Sequence, residues 1–432
     1  MTDVENAVSN PDPSPAPATP NGGTSRATMA FIIATVMLDF LAFGIIAPVL
    51  PDLIKWFEGG NIARASDLTG YFAFAWNLMQ FLFLPVLGAL SDRFGRRPVI
   101  LISCLGLGLD YIFMAVAPSL KWLFVGRVIS GITASNVSTA FAYITDITAP
   151  AERAKRFGML GAAFGVGFVV GPAVGGLLGQ HNLRTPFWVA AGLSLVNFLY
   201  GMFVLPESLP KEKRAKSAWH MANPLGSLAL LRSHPELAGL SIVVTLYYLA
   251  HQSLQNVWVL YTEYRYGWSR QGVGVSLAVV GICAVIVSGG LVGPYVKKFG
   301  ERFSLASGLF YGFLGFAGFG LAWRGWGAMA AIPFIALWGV AGPAMQSLMS
   351  QRIDASSQGK LQGAVNSLRA LTGMAGPLLF TQAFSAAISA EARVHVPGTP
   401  YFLAALLLLF ALLMAVAVTR RHTVATAPET AQ

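Results

Sequence analysis

An all-helical membrane protein of twelve spans in two six-helix halves is the architecture this sequence predicts. Three observations carry it. Of 432 residues, 55% are hydrophobic and only 11% charged, whereas a soluble domain is about a quarter charged. The apolar residues gather into long runs, and crossing a bilayer core of about 30 Å takes roughly 20 helical residues. The basic residues fall in short clusters on alternate gaps between those runs, as membrane topology requires.

Twelve runs meet the length, near 28–50, 69–90, 98–117, 120–142, 157–179, 185–205, 237–260, 271–292, 302–323, 327–349, 361–389 and 399–419. The richer gaps hold Arg93, Arg96 and Arg97, then Arg153, Lys155 and Arg156, then Lys211 to Lys216, then Lys297, Lys298 and Arg302, then Arg352 and Lys360. These gaps go inside, which makes the protein multi-pass with both termini cytoplasmic. Residues 1–27 read as a disordered tail, polar and rich in Pro, Ala and Ser. Residues 28–205 form the first bundle, 206–236 a cytoplasmic linker, 237–419 the second bundle and 420–432 a second tail. GALSDRFGRR after the second run and GPYVKKFGERF after the eighth stand at matching places, the mark of a duplicated bundle. The net charge of +10 is spread over these gaps and does not gather on one face, so nucleic-acid binding does not explain it. The two Cys, Cys104 and Cys283, lie inside apolar runs. No nucleophile triad, metal cluster or nucleotide loop stands out, so neither an enzyme nor a cofactor is expected.

Charge in hydrocarbon is costly, so each embedded charge is a functional candidate. Asp39 lies eleven residues into the first run, about 17 Å deep, near the midplane. A carboxyl group there is placed to take a proton from one side and release it to the other. Asp110 and Arg127 lie at similar depth on consecutive antiparallel helices, placed to pair, either as a lock between helices or as partners in proton coupling. Arg369 lies about 12 Å into the eleventh run; it either snorkels inward or faces the cavity and attracts an anion. The seventh run groups Tyr248, His251, Gln252, Gln255 and Trp258, and polar groups on one helical face suit a cavity better than lipid. Asn77, Gln80, Asn136, Asn197, Gln346 and Asn366 add donors that line a cavity or join helices.

Two glycine-rich segments remain. In Gly88-x-x-x-Asp92-Arg93-x-Gly95-Arg96-Arg97, Gly88 lets the helix end pack closely. Asp92 is placed to accept from a neighbouring helix N-terminus. The arginines are placed to bridge to Asp146. Such a cluster is expected to act as a cytoplasmic gate. The fifth run carries Gly158, Gly167, Gly171, Pro172, Gly175 and Gly176, small residues that allow close contact, with a proline that bends the helix.

At these residues the chain resembles the major facilitator superfamily, and within it the drug:proton antiporters of the tetracycline-resistance type. GALSDRFGRRP looks like the superfamily's loop signature, and the series from Gly158 to Gly176 like the antiporter signature of helix five. LDFLAFGIIAPVLP, LDYIFMAVAP, GRVISGITAS, WVLYTEYRYGW and LQGAVNSLRALTGMAGPLLFT resemble parts of tetracycline exporters. The resemblance implies a proton-coupled exporter of amphipathic molecules in a bacterial inner membrane, working as a monomer by alternating access. Its partners would be a small substrate, protons and lipid, with no nucleic acid. It implies coupling roles for Asp39, Asp110 and Arg127 and a cavity role for Gln80. The second half departs from the pattern. Ala284 stands where those exporters carry a His, GLFYGFLGFAGFG holds no acid, and Arg369 has no counterpart. The alternative is an exporter of an endogenous anionic or zwitterionic metabolite or lipid-like amphiphile; an importer or uniporter of sugars or organic acids fits the glycine series less well.

Overall fold

The computed structural model describes residues 22–134, 136–148, 150–214, 235–354, 357–392 and 395–425. Most of the expected linker and both expected tails lie outside these residues. Helix nevertheless begins at Gly22 and the last helix runs to Ala425, past both predicted bundle edges.

Eleven segments are long and apolar enough to cross a membrane. The remaining crossing, span four, is broken into Leu120–Thr133 and Asn136–Ile147. Its chain leaves helical geometry at Ala134, so neither piece alone has spanning length. Span one covers Thr28–Phe57 and also bends, its helices Gly22–Ile46 and Leu50–Phe57 meeting at Pro48, which has no amide hydrogen to donate. Span two, Ile62–Phe94, starts where the Asn61 side chain accepts from the Arg64 amide at 3.0 Å. It stops at Gly95, whose φ of +110° suits glycine. Spans three, five and six are Arg96–Val116, Arg156–His181 and Thr185–Val204.

The second half repeats the plan with Leu237–Tyr266, Arg270–Phe299, Glu301–Leu321, Gly325–Ser350, Gln358–Ile388 and Thr399–Thr419 as spans seven to twelve. Gly300 ends span eight at φ +77°, as Gly95 ends span two. Span eight holds a π-helical turn over Val287–Leu291. Span ten bends at Gly339 and Val340. Pro377 does not interrupt span eleven, which stays one helix of 31 residues.

The halves meet along two seams, span two against span eleven and span five against span eight. Small residues make the close approach possible. A β-carbon on Gly176 would lie 2.6 Å from the Arg270 carbonyl oxygen, one on Gly274 would lie 2.5 Å from that of Pro172, and one on Gly281 would lie 2.6 Å from a Val169 methyl. The seam continues to Gly165, where a β-carbon would lie 3.0 Å from a Val285 methyl, and then ends. Gly158, Gly161, Gly289, Gly290 and Gly293 have nothing within 4 Å of where a β-carbon would stand. The two halves therefore close at the end opposite the GALSDRFGRR loop and part toward the loop end. The apolar core follows the same shape. One cluster joins both halves, with Ile46, Leu53 and Phe72 beside Trp258, Tyr261 and Phe384. Separate clusters lie within single halves, around Phe31, Ile100, Tyr143 and Leu160 in the first and Val287, Ala336 and Val340 in the second.

Candidate functional site

Asp39 is buried on span one. Asn197 of span six donates to Asp39 Oδ1 at 3.4 Å and to the Thr35 carbonyl at 3.3 Å, and lies 3.6 Å from the Cys104 sulfur of span three. Span one is held in this place by glycines of span five. A β-carbon on Gly171 would stand 2.7 Å from Gly44 Cα, and one on Gly167 would stand 2.7 Å from Phe40 Cβ. A β-carbon on Gly175 would stand 2.8 Å from the Ile45 carbonyl carbon. Gly176 faces the other way, onto span eight, and Pro172 touches both sides, its ring lying against Gly44 and its carbonyl oxygen against Gly274. One helix therefore seats both the Asp39 helix and the partner half.

Asp110 and Arg127 are both buried and adjacent. A β-carbon on Gly126 would lie 3.1 Å from Asp110 Oδ1. The direct ion pair expected from their matched depth is not formed within 4 Å. The guanidinium instead lies over the Trp76 ring of span two, 5.2 Å from its centre. A ring face attracts a cation without a carboxylate. Trp76 in turn stacks on Phe43 of span one at 5.9 Å, which links this group to the Asp39 helix.

The second half contributes an aromatic wall. Arg369 is exposed, with its guanidinium 5.5 Å from the Tyr248 ring centre. Tyr247 packs on Tyr248 at 5.3 Å and on Trp338 at 4.7 Å, and His251 on Trp338 at 5.4 Å. Gln252 lies against Gly376 and, with Asn77 of span two, borders Gly373. Asn77 also donates to the Ala73 carbonyl at 2.8 Å. Gln255 and Asn366 are exposed, and Gln80 and Gln346 half-buried. The side chain of Asn136 lies outside the described residues. Trp258 is a correction. It is 1% exposed, donates to Ser276 Oγ at 2.9 Å and packs on Phe319 and Tyr401. Its indole N–H is satisfied inside the second half's core, so it lines no cavity.

The basic loop is built within one half. Arg96 donates to Asp92 at 2.5 Å, to Asp146 at 3.1 Å and to Ser91 at 3.0 Å. Arg97 donates to the Met202 carbonyl at 2.7 Å, and Arg93 is exposed beside Phe94. Three expectations are corrected here. Gly88 and Gly158 have nothing within 4 Å of a β-carbon, so neither makes a close helix contact at this parted end. Asp92 does not cap span three. Glu207 does, accepting from the amides of Arg96 at 2.9 Å and Arg97 at 3.3 Å. Glu207 follows span six in sequence, and nothing in that stretch singles it out.

The opposite end carries a polar seam absent from the sequence reading. Arg270 of span eight donates to Asp52 of span one at 2.7 Å and to the Gly179 carbonyl at 3.3 Å. Lys55 pairs with Glu263 and, at 3.3 Å, with Asp52. Gln180 donates to Gln271 at 2.9 Å, Ser66 to the Thr381 carbonyl at 2.9 Å and Ser385 to Asp67 at 2.9 Å. Two clefts of about 330 and 310 Å³ flank Arg270 and belong to this end. Charges at the ends of spans one, seven and eight were the available signal, but spacing in sequence does not say which will meet.

Residues 32–377 match the family model described as Major Facilitator Superfamily. The chain is 39% identical over 368 residues to the tetracycline resistance protein, class C, of Escherichia coli, covering 84% of this chain and 91% of that protein. The class B protein of Escherichia coli is 35% identical over 364 residues, covering 82% and 88%. Among solved structures, a bacterial homolog of the human lysosomal transporter Spinster, in an inward-facing and unoccupied conformation, superposes with a TM-score of 0.76 at 16% identity, covering 93% of this chain and 98% of that one. The human organic anion transporter MFSD10 does so with a TM-score of 0.67 at 24% identity, covering 90% and 99%. At these identities the two structures speak for the fold alone.

Proposed function

We propose, for a chain that belongs to the major facilitator superfamily, the function of a proton-coupled exporter of amphipathic small molecules. It is a multi-pass membrane transporter and not an enzyme. The observation that carries the proposal is the placement of Asp39. A buried carboxyl group bonded to Asn197 sits on a helix packed backbone to backbone on span five, and span five also packs on span eight of the other half. Any rocking of the halves along the five–eight seam therefore moves the surroundings of Asp39. The similarity to tetracycline resistance proteins supports export as the direction.

In this reading the basic-loop end is cytoplasmic, in a bacterial inner membrane, and the halves part toward the cytoplasm. Substrate enters there and binds between the aromatic wall of the second half and span two. Protonation of Asp39 from the outside, with Asp110 and Arg127 tuning the neighbourhood through Trp76, accompanies the return to this state. The membrane potential supplies about 2.3 kcal/mol per charge per 100 mV, and the pH gradient about 1.4 kcal/mol per unit. The protein acts as a monomer and needs no cofactor.

The test is flux of a substrate panel in proteoliposomes under an imposed pH gradient. The Asp39→Asn variant is expected to fold and to lose gradient-driven flux. Flux equal to wild type in that variant would overturn the assignment.

A further inference from the structure

Arg369 stands one helical turn from Gly373 on span eleven, toward the basic-loop end. Gly373 marks the contact of spans two and eleven, since a β-carbon there would lie 2.9 Å from Asn77 Oδ1. Arg369 is therefore on the parted side of that contact, and it is exposed. Among the described residues, no carboxylate lies within 4 Å of its guanidinium. Its neighbour is the Tyr248 ring. A cation this deep in a membrane protein without a counter-ion implies that an anion comes to it. Beside it the wall is an aromatic corner, the Tyr247 and Tyr248 rings meeting edge to face at 87°. The Tyr247 hydroxyl reaches Gly342 of span ten, 3.3 Å from where a β-carbon would lie, and Gln346 is one turn further along that span. Gln346 Nε2 and His251 Nδ1 are buried with no hydrogen-bond partner. Buried polar atoms are usually paired, so two orphans in one wall point to a group that completes them.

We infer that this wall is an anion subsite for a flat apolar molecule bearing a carboxylate. The anion takes charge-assisted hydrogen bonds from Arg369, the flat body sits in the corner between the Tyr247 and Tyr248 rings, face to one and edge to the other, and His251 and Gln346 meet its polar substituents. The inference rests on the exporter reading and deepens it by naming the substrate class. It has an energetic consequence. An anion leaving and a proton entering both move positive charge inward, so one monovalent anion exchanged for one proton carries two charges per cycle.

The test uses the full-length protein in detergent, with 2-naphthoate and its uncharged amide, 2-naphthamide, as probes and calorimetric titration as the readout. Wild type is expected to bind naphthoate at least about tenfold more tightly than the amide, the usual scale of a hydrogen bond to a charged group. Arg369→Gln is expected to erase that preference and leave amide binding unchanged. Should that variant not purify as a single species, Arg369→Lys replaces it. Naphthoate affinity should then fall severalfold, because the planar fork is lost, with the amide unaffected. Tyr248→Leu should weaken both probes. Equal binding of the two probes by wild type, binding of neither, or naphthoate affinity untouched by the Arg369 variants overturns the subsite. Asp39→Asn should keep the naphthoate preference while losing pH-driven flux in proteoliposomes, so failure of the subsite and failure of proton coupling read out separately.

Discussion

Asp39, Asp110 and Arg127 were legible because a charge inside an apolar run has few structural explanations. Their partners were not. Arg127 and Asp110 have matching depths, yet the long guanidinium side chain reaches a ring on span two, a choice made by the shape of the space around it. Trp258 shows the opposite error. It sits near Gln255 on a helix with a polar face, but its ring turns into the core and its N–H finds Ser276. Trp258→Phe is therefore expected to leave substrate affinity unchanged and to cost about 1–2 kcal/mol of stability, through the acceptor left unpaired on Ser276. Thermal unfolding in detergent beside probe binding checks both halves of that statement.

Most helix ends were read to within a few residues, because length and hydropathy are local properties, but spans one, two, seven and eight run six or seven residues further at one end. Breaks were not. Span four parts at Ala134, and no proline announces it. Glycine roles also depended on the neighbour. Gly171 and Gly158 look alike in sequence, but Gly171 touches the backbone of Gly44 and Gly158 touches nothing. Gly171→Val must push span one away from span five, and overpacking of that kind costs about 1–3 kcal/mol. It is expected to lower stability and to abolish coupled flux, since the Asp39 helix is displaced. Gly158→Val, with open space around it, should keep most transport. Measuring both variants in one flux assay separates a packing role from a motif that merely recurs.

At the scale of the molecule, the arrangement of contacts decides which end is open. Arg270, Asp52, Lys55 and Glu263 tie the halves together at one end. The basic loop's own ion pairs stay within the first half, so they remain intact while that end is parted. The cluster expected to act as a gate therefore shapes the loop within one half, and the ion pairs that join the halves lie at the opposite end. Asp52→Asn removes one partner of a largely buried pair and should favour opening at that end by about 1–2 kcal/mol, roughly tenfold in population. Spin-label distances between the loops after spans one and nine should lengthen. An unchanged distance distribution would show that the pair does not hold the halves.

The sequence by itself determined the twelve-span plan, the duplication, the sidedness expected from its basic gaps and the buried charges Asp39, Asp110 and Arg127, though not Asp52. These follow from composition and from the cost of charge in hydrocarbon, which act along the chain. The tertiary structure alone decided what each buried group faces. It put Asn197 on Asp39, Trp76 under Arg127, Glu207 on the amides of span three and Arg270 on Asp52. Those contacts join residues 51 to 218 positions apart. They depend on how curved helices pack against one another, which no local pattern encodes.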